Sequence, residues 1–185
     1  MKTRIVVMAI AIVLLVVFQS VVCLAQLKAK FEQPVLVTSA GQSADVTIAG
    51  MLFKRAKIVA NTVPMAKVGD LDGVKTLVIV AGFSSKGLGA AGISREQELA
   101  RVKSILATAK EKKIKILTLH LGGKARRGNQ SDDFNALAAE ASIHLIIVKQ
   151  GDEDQFFSKI AGEKKIPIDL VDKIADAMTP LGKIF

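Results

Sequence analysis

Three segments of this sequence carry side chains that could act together on a ligand. In the first, Gly41-Gln42-Ser43-Ala44-Asp45 follows the G-x-S-x-G pattern of a nucleophile elbow, except that Asp45 stands where the last glycine belongs. A serine attacks an acyl group only with a base in hydrogen-bond reach. The chain has two histidines. His120 closes an apolar run on the same predicted edge as Ser39 and Ser43, whereas His144 opens one on the other edge. The catalytic candidates are therefore Ser43 or Ser39 with His120. The competing reading makes Ser43 or Asp45 the cap of a helix.

The second segment, Gly82 to Ile93, holds Ser84, Lys86 and the literal G-x-G-x-x-G of Gly87-Leu88-Gly89-Ala90-Ala91-Gly92. A dinucleotide fingerprint belongs in a tight turn directly after a strand, and here five residues intervene after Ala81. A phosphate loop fails as well, because Leu88 replaces its lysine. The segment reads as a flexible lid whose one charge is Lys86. The third, Gly122 to Gln130, contains Lys124, Arg126 and Arg127 and no acid. With Gly123 freeing backbone N–H groups and a helix starting at Ser131 or Asp132, it suits a carboxylate or phosphate. Pairing with Asp152, Glu153 and Asp154 is the alternative. Those acids lack the spacing of a calcium loop, and no His or Cys pair has zinc spacing, so neither metal nor cofactor is expected.

These segments need a scaffold that gathers them on one edge. Short β-rich runs alternate with longer helical ones, the pattern of βα units and a parallel sheet. Strands are predicted at Pro34 to Thr38, Lys57 to Val63, Thr76 to Ala81, Ile114 to Leu121 and His144 to Val148. Helices are predicted at Asp45 to Arg55, from Ser94 to near Lys112, at Asp132 to Ala141, around Phe156, Phe157 and Ile160, and over Leu170, Val171, Ile174 and Met178. Ser94 and Gln97 form a capping box, with Leu99, Val102, Ile105, Leu106 and Ala109 on one face behind it. About five parallel strands in right-handed crossovers make a three-layer, doubly wound α/β domain of Rossmann-like or flavodoxin-like order, 2-1-3-4-5. A ligand then binds at the carboxyl ends of the strands, near Ser39, Gly41, Gln42, Ser43, Ser84, Lys86, Gly123, Lys124, Arg126 and Arg127.

At 185 residues the chain is one domain plus a targeting segment. Lys2 and Arg4 precede an apolar run from Ile5 to Ala25, and Cys23-Leu24-Ala25 places small side chains before Gln26, as signal cleavage after Ala25 requires. The expected division is a signal peptide over 1–25 and one α/β domain over 26–185, exported to the periplasm or beyond; an uncleaved anchor through residues 5–25 is the alternative. Val22, where a lipobox carries a small residue, argues against a lipid on Cys23. That cysteine is the only one, so the mature chain has no thiol for an oxidising compartment to crosslink. The 26 basic and 17 acidic side chains give +9, dispersed along the chain, and eight Phe are the only aromatics. Nucleic-acid binding would need a basic stripe interleaved with aromatics.

Pro34 through Asp45, the loop with Arg126-Arg127-Gly128, and the ending from Phe156-Phe157 to Ile184-Phe185 together resemble a family of exported bacterial proteins classed as a domain of unknown function. The resemblance implies a single α/β domain behind a signal peptide and transfers no catalytic role. The leading expectation is a module binding a small anionic ligand, without a membrane contact once the signal is removed. An envelope hydrolase using Ser43 or Ser39 with His120, and a structural protein binding an envelope partner, are the alternatives.

Overall fold

The computed structural model describes residues 31–185. The expected signal segment, with Lys2, Arg4 and Cys23, lies outside the described residues. Among those described, no helix is long and apolar enough to cross a membrane.

Six parallel strands form one sheet: β1 (Val35–Ala40), β2 (Ala60–Thr62), β3 (Thr76–Ala81), β4 (Lys115–His120), β5 (His144–Val148) and β6 (Ile168–Val171), in the order β2-β1-β3-β4-β5-β6. The helices are α1 (Asp45–Arg55), α2 (Ser85–Ala91), α3 (Arg95–Glu111), α4 (Asp132–Ala141), α5 (Phe156–Lys164) and α6 (Met178–Ile184). Side chains alternate across each strand. Val35, Val37, Val78, Val80, Leu117 and Leu119 face α1 and α6, and Leu36, Leu77, Ile79 and Ile116 face α3 and α4. Leu145 and Ile147 meet α4 and α5. Strand β3, TLVIVA, is buried over its whole length, as a strand with neighbours and helices on every side must be.

The capping box forms as the sequence requires: the Ser94 hydroxyl accepts from the Gln97 N–H at 3.2 Å, and Gln97 Oε1 accepts from the Ser94 N–H at 2.8 Å. Three expectations need correction. The sheet gains a sixth strand, because Leu170 and Val171 belong to β6 rather than to the last helix, which runs through a 3₁₀ turn at Ile174–Ala177 into α6. Strand β2 has three residues, since Lys57 adopts a left-handed φ of 59° after α1 and delays the extended run. The flexible lid is helix α2, capped by Ser84, which accepts from Gly87 N–H, and ended by Gly92 at φ 66° in the left-handed region.

After β1 the chain winds outward to β2 and then returns to place β3 on the other flank of β1. The switch point therefore lies between the carboxyl ends of β1 and β3, and loops from β1, β3 and β4 meet on that edge.

Candidate functional site

The crevice at the switch point is filled by the protein's own backbone. Gln42 and Phe83 form an antiparallel bridge, and a Cβ on Gly41 would stand 2.7 Å from the Gly82 oxygen. At Gly87 a Cβ would overlap the Gln42 carbonyl oxygen, so glycine is what lets α2 seat on the β1 loop. A buried ion pair fixes this closure from below. Glu98 Oε1 accepts from Gly41 N–H at 2.9 Å and Gln42 Nε2 at 3.0 Å. Arg101 grips the same carboxylate through Nε at 2.7 Å and Nη2 at 2.8 Å, and donates to the Ala66 and Ser39 carbonyls. Nothing in the sequence reading singled out Glu98 or Arg101. The available signal was Glu98 standing four residues before Val102 on the apolar face of α3, with an arginine three residues on.

Ser39, Gly41, Gln42 and Ser43 are therefore packed parts of the closure and do not line an opening, a correction to their expected place. Ser43 is 1% exposed and its hydroxyl accepts from Asp45 N–H at 3.3 Å, a local turn contact; the residue at the cap of α1 is Ala44, and no side chain caps the helix, so the capping expected of Ser43 or Asp45 is not what the structure shows. Ser39 Oγ is buried without a hydrogen-bond partner. His120 is buried beneath α5, its ring centroid 4.8 Å from that of Phe157. Its Nδ1 lies 3.1 Å from the Ala81 oxygen and its Nε2 3.1 Å from the Gly123 oxygen. Neither nitrogen faces Ser39 or Ser43. A neutral imidazole donates to one carbonyl only. Burial lowers the His120 pKa against the opposing pull of the Gly123 and Ala81 carbonyls. Gly123 is buried with φ 54° and its carbonyl faces His120, and it does not line the cleft as a ligand donor.

The opening on this edge lies one strand further along, between the loops after β3 and β4. A cleft of about 840 Å³ is lined by Phe83–Lys86 on one wall and Ala125–Ser131 on the other. It brings together Ser84, Lys86, Arg126 and Arg127 of the expected residues, and adds Ser85, Asn129, Gln130 and Ser131. Lys86 is exposed. The stem of Arg126 lies over Gly82 and Gly122, where a Cβ on either residue would strike it. Its guanidinium donates to the Phe83 oxygen from Nη1 at 3.2 Å and stands 3.5 Å by Nε from Asp45 Oδ2, an oxygen with no hydrogen bond of its own. Nη2 has no partner among the described residues.

Arg127 is spent on the protein itself. It donates to Asp132 at 2.8 Å, to both oxygens of Asp154 at 2.9 Å and to the Gly151 carbonyl, while its guanidinium stacks 4.3 Å from the Phe156 ring centroid. Burial works against its charge, but the hydrogen bonds to Asp154 and Asp132 outweigh that and raise its pKa; in return Arg127 holds the Asp154 carboxyl at about 2. Lys124 points away to Glu153 at 3.8 Å, beside a second hollow of about 310 Å³ that Asp132, Glu153 and Asp154 share. The pairing expected as the alternative for this loop thus holds for Arg127 and Lys124 and not for Arg126. Among the described residues no group of three or more His, Cys, Asp or Glu side chains could hold a metal ion.

Residues 32–185 match DUF6305, a domain of unknown function. The chain belongs to this family. No curated protein matches it. Among solved structures the DUF6305 chain is similar to a GDSL-like lipase from Bacteroides thetaiotaomicron, with 14% identity over 72% of this chain and 65% of the other and a TM-score of 0.35. It thus spans just under two thirds of that lipase's length. A protein assigned to the G-D-S-L lipolytic family from Desulfitobacterium hafniense is 12% identical over 72% of this chain and 74% of its own, with a TM-score of 0.34. One assigned as an acylhydrolase from Bacteroides fragilis is 13% identical over 78% and 71%, also with a TM-score of 0.34. Likenesses this slight say nothing about activity.

Proposed function

We propose that this DUF6305 protein is an exported binding module that holds a small anionic ligand between Phe83–Lys86 and Ala125–Ser131. The observation that carries the reading is the lining of that cleft, which has no carboxylate side chain and, besides Arg127 with its Asp132 and Asp154 partners, presents Lys86 and Arg126. A concave wall of one sign concentrates the opposite charge. Arg126 is the anchor, because Nη2 is uncommitted and its stem is fixed between the two glycines. The hydroxyl oxygens of Ser84 and Ser131 already accept from Gly87 N–H at 3.1 Å and Phe83 N–H at 3.3 Å, which leaves their hydrogens to donate. Asp45 behind Arg126 steadies the guanidinium and tempers its charge, which suits reversible capture. Export rests on the segment from Lys2 to Ala25. The hydrolase alternative has no base in this geometry, since both nitrogens of His120 face carbonyls.

The test is melting of the protein against rising phosphate and citrate. Ligand at a hundredfold excess over its Kd stabilises by about 2.7 kcal/mol, and at about 2–4 °C per kcal/mol for a domain of this size the midpoint rises by roughly 5–11 °C. Lys86→Ala with Arg126→Ala should abolish the rise. Equal rises in both proteins would refute the site, and no rise in either would favour the partner-binding alternative.

A further inference from the structure

We infer that the cleft takes an anionic sugar: a phosphate or carboxylate carried on a polyhydroxylated body. This rests on the anion-binding reading above and adds the chemistry of everything in the ligand beyond its charge. Size is the first ground. The cleft is open to solvent, and its volume of about 840 Å³ leaves room for more than an ion. A phosphate ion, on the order of two or three water volumes of about 30 Å³ each, fills a small part of it. The cleft therefore has room for a body attached to the anion.

The lining says what kind of body. An aliphatic or aromatic acid needs an apolar wall, and here only Phe83 and Ala125 offer one, with Phe83 half-buried against Phe134 at 6.2 Å between ring centroids. The remaining side chains of the lining are Ser84, Ser85, Asn129, Gln130 and Ser131. The carboxamides of Asn129 and Gln130 are exposed and make no hydrogen bond within the described residues. Each carboxamide offers both donors and an acceptor, the complement of a hydroxyl that does the same. The donor-only groups, Arg126 Nη2 and Lys86, together with the free hydroxyl hydrogens of Ser84 and Ser131, match an oxyanion that can only accept. The lining thus offers donors for an oxyanion and carboxamides for hydroxyls, the two chemistries that an acidic sugar carries. A nucleotide would add a base needing a stacking face, for which Phe83 is the one ring.

The experiment is titration calorimetry on protein purified from cells expressing the full chain. The probes are glucose, galactose and mannose, each as phosphate ester, uronate and neutral sugar, with inorganic phosphate and octanoate as controls. At least one sugar acid is expected to bind tenfold or more tightly than inorganic phosphate, its own neutral sugar and octanoate; whether the phosphate or the uronate series responds identifies the acid group. Asn129→Ala with Gln130→Ala, both on exposed side chains, should bring the sugar acid down toward the affinity of phosphate and cost it far more than they cost phosphate, whereas Arg126→Ala weakens both. If phosphate binds and no sugar acid exceeds it, or if the Asn129 and Gln130 replacements leave the sugar acid unaffected, the sugar is refuted and the anion site stands. If octanoate matches the best sugar acid, the body is apolar and the inference falls. If no anion binds at all, the anion reading falls with it.

Discussion

Replacing Glu98 should damage this protein more than replacing any residue that lines the cleft. The Glu98 side chain is 0% exposed and its carboxylate takes four donors, from Gly41, from Gln42 and twice from Arg101. Glu98→Ala strands the Arg101 guanidinium, itself 12% exposed, with only the Ser39 and Ala66 carbonyls and the Thr38 hydroxyl for company, and leaves the Gly41 N–H unpaired. Breaking a buried pair from one side costs about 3–5 kcal/mol, against a total stability of roughly 5–15 kcal/mol. The midpoint of thermal unfolding, followed by circular dichroism, should therefore fall by roughly 6–20 °C. Glu98→Gln keeps an acceptor oxygen but sets an amide donor against the guanidinium, so its loss should be intermediate. Combining Glu98→Ala with Arg101→Met removes the stranded charge, and the double variant should lose less than the sum of the singles by about 0.5–3 kcal/mol. A Glu98→Ala protein melting within about 2 °C of the parent, or strict additivity in the cycle, would refute the claim that this pair holds the β1 loop shut.

Two glycines of the G-x-G-x-x-G segment should respond in opposite directions. Gly87→Ala, which meets the Gln42 carbonyl, should destabilise by about 1–3 kcal/mol, and Gly89→Ala, which meets open space inside α2, should stabilise by about 0.5–1 kcal/mol; urea midpoints compare them, and equal effects would contradict the packing of α2 on the β1 loop. Burial holds the folded pKa of His120 below its ordinary 6.5, so the unfolded chain binds more protons and stability should fall as pH drops below about 6.5. Arg127 adds to that depression and Asp45 opposes it. His120→Gln should flatten this part of the profile, and an unchanged slope in its urea midpoints between about pH 7 and 5 would contradict the assignment. For the segment before the domain, N-terminal sequencing of protein recovered outside the cytoplasm should begin at Gln26; intact Met1 on membranes would support the anchor instead.

Much of the scaffold was legible because its residues obey local rules. Thr76–Ala81, Asp45–Arg55, Asp132–Ala141 and His144–Val148 fall where composition and apolar patterning place them. What escaped was set by contacts distant in sequence. Leu170, Val171, Ile174 and Met178 have helical spacing, yet β5 captures Ile168–Val171 as an edge strand, with Asp169 bonded to His144 at 2.7 Å. Gly87 and Gly89 suggested a mobile loop, whereas Gly87 is a contact made by the absence of a side chain. In the basic loop three cations looked equivalent, but Asp154, 27 residues on, takes Arg127. Glu98 reads as surface charge until its four donors are assembled.

The central claim is that the cleft of Lys86 and Arg126 holds an anion, and amide chemical shifts of the isotope-labelled protein during a phosphate titration test it most directly. The account predicts saturable shifts confined to Phe83–Lys86 and Ala125–Ser131 that vanish in Arg126→Ala while the rest of the spectrum stays native-like. Shifts that never saturate, that scatter over the charged surface, or that persist unchanged in Arg126→Ala would contradict it.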